Sequence, residues 1–164
     1  MNKKRIKNLI PAAIAALFIV GVIVVFKQPS GTASPSTDFI SSQRPKAIVY
    51  RSPTCGCCGN YVSYLKKMGF EVETKFVQST SEIEQQYGIP NNLLSCHTTV
   101  IGDYAIEGHV PAEAIAKLLQ EKPAIRGIAL PGMPSGSPGM PGAKRGEFSI
   151  YGFKDGGSDI FTSI

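Results

Sequence analysis

Three of the chain's four cysteines fall within four consecutive positions, in Ser52-Pro53-Thr54-Cys55-Gly56-Cys57-Cys58-Gly59. The flanking residues say what kind of backbone carries them. Ahead lies Ala47-Ile48-Val49-Tyr50, a short apolar run with the length and composition of a buried strand. Behind comes a segment with apolar residues at Tyr61, Leu65 and Met68, ending at Gly69 where a helix would stop. The cysteines are therefore expected where a strand hands over to a helix. Free N–H groups and the positive end of the helix dipole there favour thiolate over thiol. Both disulfide exchange and soft-metal binding use the thiolate.

The first residues indicate export. Lys3, Lys4, Arg5 and Lys7 precede Leu9–Phe26, eighteen residues without a charge. That length fits a membrane-spanning helix better than the apolar part of a signal peptide, and the basic flank should stay cytoplasmic. Gly31-Thr32-Ala33 also offers small residues for cleavage, so an N-terminal transmembrane helix and a removed signal peptide both stand. The chain has 17 Lys and Arg, five of them at or before Lys27, and all 12 acidic residues follow Lys27. The exported part is thus formally neutral. Its basic pI reports topology, and nucleic acid is not an expected partner.

From Lys46 onward strands and helices alternate. Phe70–Val77 alternates apolar and polar as a half-buried strand does, and Ser79-Thr80-Ser81-Glu82 opens a helix ending near Gly88. Thr98–Ile101, Gly102-Asp103 and Tyr104–Glu107 read as strand, tight turn and strand; Pro111 opens a further helix. The order is βαβαββα, an α/β fold expected to have helices on both faces of its sheet. Pro-Gly-Met-Pro then occurs at 131–134 and again at 138–141. It is read as a loop whose Met133 and Met140 either fill gaps in the core or turn thioethers toward a soft metal. Phe148–Phe153 and Ile160–Thr162 read as a closing hairpin. The expected divisions are 1–27 membrane segment, 28–45 flexible linker, 46–126 main domain, and 127–164 loop and hairpin packed on that domain.

This order, with Cys-x-x-Cys at the first strand–helix junction, resembles thioredoxin. The likeness implies that Leu94-Ser95-Cys96-His97, just before the third strand, lies against the cysteine motif. Thioredoxins have a cis-proline at that place; a thiol and an imidazole there look like two further ligands.

Four cysteines in an exported chain are ordinarily two disulfides. A bridge between adjacent Cys57 and Cys58 is strained, and a Cys55–Cys58 bridge leaves Cys57 needing Cys96. Two chemistries remain for the soft-ligand inventory of Cys55, Cys57, Cys58, Cys96, His97, His109, Met133 and Met140. One is thiol–disulfide exchange, with Cys55 as nucleophile and Cys58 as resolver. The other is a soft metal. Closed zinc sites usually draw their thiolates from separated pairs, whereas adjacent thiolates can bridge several copper ions. Copper, as Cu(I), is favoured, with more than one ion per chain. No nucleophile elbow or phosphate loop is present to support a hydrolase or nucleotide enzyme.

Taken together, the first cysteine motif, Ser95-Cys96-His97-Thr98, Glu107-Gly108-His109-Val110-Pro111-Ala112 and the two Pro-Gly-Met segments resemble the CopG family of bacterial envelope copper-resistance proteins. The likeness runs from about Lys46 to Met140. It implies a thioredoxin-like fold in which Cys55, Cys57, Cys58 and Cys96 are the principal copper ligands, in a cysteine-bridged cluster. His97, His109, Met133 and Met140 match as secondary ligands. The expected protein sits in the cell envelope on the periplasmic side, anchored in the inner membrane or released to the periplasm. It sequesters Cu(I) or, as a copper-dependent oxidoreductase, changes its oxidation state. A copper exporter or another envelope copper protein is the expected partner. The alternative is a membrane-tethered thiol–disulfide oxidoreductase.

Overall fold

The structure is a computed structural model and describes residues 35–164. The expected span Leu9–Phe26 lies outside these residues. Among the described residues no helix is long and apolar enough to cross a membrane.

In chain order the first elements are helix α1 (Pro35–Gln43), strand β1 (Lys46–Arg51), helix α2 (Gly56–Lys67), strand β2 (Glu71–Phe76) and helix α3 (Ser81–Tyr87). A single 3₁₀ turn at Asn91–Leu93 leads to β3 (His97–Ile101), β4 (Tyr104–Gly108) and helix α4 (Ala112–Glu121). Strands β5 (Gly127–Leu130), β6 (Ser149–Lys154) and β7 (Gly157–Ser163) close the chain. The expected βαβαββα order is present from β1 to α4. Among the described residues seven strands form one mixed sheet in the order β2-β1-β3-β4-β5-β6-β7. β1 pairs in parallel with β2, and β3 runs antiparallel to both β1 and β4.

The sheet separates two apolar clusters. Consecutive strand side chains point to opposite faces. Ile106 and Ile128 accordingly join the larger cluster with Tyr61, Leu65, Ile115 and Leu118, whereas Ala105, Ala129 and Phe153 join the smaller one with Leu93. Helix α4 buries Ala112, Ile115, Ala116 and Leu118 on one side and turns the Lys117–Glu121 pair outward. Helix α2 is fastened to the segment before α4 by two tyrosines. The Tyr61 hydroxyl donates to the Val110 carbonyl at 2.9 Å, and the Tyr64 hydroxyl accepts the Ala112 N–H at 2.8 Å. The second bond satisfies a helix-start donor that would otherwise lack a partner.

Two expectations need correction. The flexible linker expected over 28–45 is helical at Pro35–Gln43, and Ile40 is fully buried in the larger cluster. The polar, Ser- and Thr-rich composition conceals Phe39 and Ile40, which are enough to dock a short helix. The turn at Gly69 comes close beneath it: a Cβ there would lie 3.1 Å from the Ser41 Cα. Strand β5 was not expected. Its four residues, all buried, pair in parallel with β4 and carry the sheet into the closing hairpin.

Ile40→Ala is expected to cost about 2–5 kcal/mol, the usual range for emptying a buried isoleucine site. Denaturant unfolding of the full chain measures it. A flexible tether would leave the midpoint unchanged.

Candidate metal centre

The antiparallel register gathers the three motifs at one end of the sheet. Arg51, the last residue of β1, pairs with His97, the first of β3, and Thr98 pairs with Glu107 near the end of β4. The turn carrying Cys55 to Cys58, the start of β3 at Cys96 and His97, and the exit of β4 at His109 therefore converge.

Cys55 is the N-cap of α2, and its sulfur accepts the Cys58 N–H at 3.4 Å. One Arg51 guanidinium nitrogen, Nη1, donates to the carbonyls of Ser52 (2.9 Å) and Cys55 (2.7 Å), folding the turn back on the strand that delivers it. A disulfide joins Cys55 to Cys58, while Cys57 and Cys96 are free thiols. Cys57 Sγ lies 3.5 Å from Cys55 Sγ, and Cys96 Sγ lies 3.6 Å from Cys58 Sγ. All four sulfurs fall within 4.8 Å of one another, as do Cys96 Sγ and ring nitrogens of His97 and His109. Cys96 belongs to both groups. A cleft of about 240 Å³, lined by Ser52, Val77, Gln78, Ser79 and Thr80, opens onto it.

Each histidine turns a ring nitrogen toward the Cys96 sulfur. Cys96 Sγ is 3.3 Å from His97 Nδ1 and 3.2 Å from His109 Nε2. His109 Nδ1 is 2.7 Å from the Pro138 carbonyl, an acceptor only, so that nitrogen carries the proton and Nε2 presents a lone pair to the sulfur. Both rings are fully buried and pack edge to face, 4.8 Å between centroids, with Tyr61 against both. Among the described residues His97 Nε2 has no hydrogen-bond partner.

Burial sets the charge states. It pushes the Cys96 thiol up to about 12, with the neighbouring Cys57 adding to the effect. Burial lowers His97 to about 3, aided by His109 and Arg51, and lowers His109 against an opposing pull from the Pro138 carbonyl. The metal-free site is therefore held neutral: imidazoles with free lone pairs and a thiol that a metal must deprotonate. The donor set fits a soft ion. Four sulfurs and two imidazoles converge, and one buried ring nitrogen is left over; full use of the sulfurs requires two-electron reduction of the Cys55–Cys58 bond.

All six expected cysteine and histidine positions are thus brought together. The methionines lie on the loop after β5: Met133 is exposed with a left-handed φ of 46°, and Met140 is half-buried. That loop reaches the site through its backbone. Gly139 packs so closely on α2 that a Cβ would come within 2.7 Å of Tyr61 N and 2.9 Å of the Cys57 carbonyl. Sequence patterns do not assign a role to Arg51, Glu107 or the Pro138 carbonyl. An arginine ending β1 directly before the motif, and an acidic residue inside an apolar strand, were the available signals. A main-chain acceptor leaves none.

The fold and site define a mixed α/β protein with a partly buried cysteine–histidine cluster at a strand–helix junction. A family profile described as "Protein of unknown function, DUF411" matches residues 93–140. No protein with a curated description matches the chain. Two solved structures do. One, "Copper resistance protein copG- Form 1", is 35% identical with a TM-score of 0.67, the match covering 74% of this chain and 98% of that one. The other, "Copper resistance protein copG- Form 2", is 36% identical with a TM-score of 0.65, covering 73% and 98%. The chain belongs to the CopG family of copper resistance proteins.

Acidification tests the neutral histidine. His97 titrates near 3 in the fold against an ordinary 6.5, so below 6.5 the unfolded chain takes up a proton the folded chain refuses. Its contribution is complete above 6.5 and is lost as pH falls toward about 3. Glu107, raised to about 7 by burial from an ordinary 4.5, acts oppositely and has no further slope below 4.5. His97→Leu should therefore flatten the fall in melting temperature of the metal-free chain below pH 4.5. An unchanged slope would show that His97 is charged in the fold.

Proposed function

We propose that the chain is an exported, membrane-tethered, thioredoxin-like copper-binding protein of copper resistance, holding more than one Cu(I) ion through its clustered cysteines. The observation that carries this reading is the convergence of Cys55, Cys57, Cys58 and Cys96 within 4.8 Å, with His97 and His109 grouped around the same Cys96 sulfur. Copper is favoured over zinc because adjacent thiolates on one turn suit bridging between ions better than spreading around one tetrahedron. The names of the two family structures point the same way. The domain is thioredoxin-like over residues 46–126, and the β2-β1-β3-β4 sheet with the cysteines after β1 supports this. Residues 1–27 anchor it in the inner membrane and the site works on the periplasmic side, a reading that rests on the hydrophobic run alone. Met133 and Met140 are proposed as secondary ligands, and a copper exporter or other envelope copper protein as partner.

The disulfide adds redox capacity. Two Cu(II) ions taking one electron each from the reduced Cys55 and Cys58 thiols, which release two protons to solvent, would become two Cu(I) ions and leave the Cys55–Cys58 bond. The protein can thereby act as a copper-dependent oxidoreductase as well as a sink.

A second reading is favoured by that same bond. In a thiol–disulfide oxidoreductase, an external thiolate attacks Cys55 Sγ, forms a mixed disulfide and releases Cys58 as the leaving thiolate.

Anaerobic Cu(I) titration of the dithiothreitol-reduced full chain, against a competing chelator, separates the two. Copper binding should exceed one ion per chain and fall in both Cys57→Ser and Cys96→Ser. If copper washes out on desalting while Cys55–Cys58 exchanges readily with small thiols and Cys57→Ser is silent, the exchange reading replaces it.

A further inference from the structure

Glu107 is a fully buried carboxyl group that neither copper binding nor disulfide exchange uses directly. It stands on β4 opposite Thr98, and both of its oxygens are committed to the chain that carries Cys96. Oε1 accepts the Ser95 N–H at 2.7 Å, and Oε2 accepts the Thr98 hydroxyl at 2.6 Å. These two donors lie immediately before and after Cys96-His97. One carboxyl group therefore pins both ends of that dipeptide. Hydrogen bonds in a dry environment are strong, and an unpartnered N–H there is costly.

The neighbouring residue enforces the same placement. Gly108 has φ of +75°, and a Cβ on it would come within 2.7 Å of Ser95 Oγ and 2.8 Å of the Leu130 carbonyl. The Ser95 side chain can lie against β4 only because residue 108 has no side chain. The next residue, His109, then brings Nε2 to within 3.2 Å of Cys96 Sγ. Three consecutive residues thus tie down, make room for and contact the cysteine that completes the sulfur group.

We propose that Glu107 is a positioning residue for Cys96: its paired hydrogen bonds to Ser95 and Thr98, with Gly108 beside them, hold the Cys96 sulfur against Cys58 and His109. The role goes beyond a fold contact, because it sets the distance between sulfurs supplied by separate parts of the chain. Its consequence for copper rests on the proposed function; its consequence for sulfur proximity does not.

The test uses the full chain in both settings. In a metal-free Cys55→Ser background, diamide oxidises the freed Cys58 and Cys96, and peptide mapping reads the Cys58–Cys96 disulfide. Glu107→Ala should slow this pairing about tenfold, the effect of losing a strong buried hydrogen bond, while Glu107→Gln should stay within about threefold. The glutamine amide can accept from the Ser95 N–H and donate to the Thr98 oxygen. With Cys55 restored and the chain loaded with Cu(I), Glu107→Ala should also weaken chelator-competed binding and shift the near-ultraviolet copper–thiolate absorption, with Glu107→Gln close to the parent. Pairing at the parent rate in Glu107→Ala, or equal slowing in Glu107→Gln, overturns the proposal. If circular dichroism finds Glu107→Ala unfolded, Thr98→Val decides, since it removes one donor and keeps the shape: slower pairing supports the clamp and unchanged pairing overturns it. A parent chain that binds no copper, with Glu107→Ala still slow to pair, would fell the copper reading and leave the clamp standing.

Discussion

Antiparallel pairing of β3 with β1 on one side and β4 on the other is the constraint on which the site depends. It forces the end of β1, the beginning of β3 and the end of β4 to the same end of the sheet, in the registers Arg51↔His97 and Thr98↔Glu107. Each strand end then delivers chemistry: three cysteines after β1, Cys96 and His97 into β3, and His109 after β4. A register slip of one residue would turn His97 to the opposite face and separate it from His109. The larger apolar cluster opposes such a slip, because the same shift would turn Ile101 of β3 out of it.

The site concentrates groups that are costly to bury. Two imidazoles, a carboxyl group and two free thiols lie in or against the core, and burial displaces each shifted group toward its neutral form. Neutrality makes the metal-free fold tolerable, and it leaves the nitrogens unprotonated and available for a soft cation. The same logic makes loading proton-coupled, since each thiol that becomes a ligand gives up its hydrogen. Hydrogen bonds that do not involve the ligating atoms supply the geometry. Arg51 gathers the cysteine turn, Glu107 fastens the Cys96 segment, and the Pro138 carbonyl selects the His109 tautomer. Candidate ligand atoms and orienting atoms are thus separate, as metal sites commonly require.

The alternation from β1 to α4 was legible because each element carries its own period, from the apolar run of Ala47–Tyr50 to the helical spacing of Tyr61 and Leu65. The six cysteine and histidine positions were legible for a different reason: soft ligands are rare, and here all of them occur beside predicted element ends. Strand β5 was hidden because four residues are too few to establish a period, and only its place between β4 and β6 makes it a strand. Helix α1 was hidden by composition, since Ile40 is one buried residue among serines and threonines. Glu107 was in plain sight, yet its role depends on a cross-strand register that no local pattern reveals. The repeated Pro-Gly-Met motif drew attention to its thioethers, while its clearest contacts with the site come from the Pro138 carbonyl and the bare backbone of Gly139.

We propose that the four sulfurs act together on copper, with nitrogen from the histidines beside Cys96. Copper X-ray absorption of the loaded, reduced full chain reads the neighbours of the metal directly. A sulfur-dominated first shell with a short copper–copper vector, the vector lost in Cys96→Ser and any nitrogen contribution lost in the His97 and His109 alanine variants, is the predicted result. Isolated copper with no metal–metal vector, unchanged when Cys96 becomes serine, would contradict it.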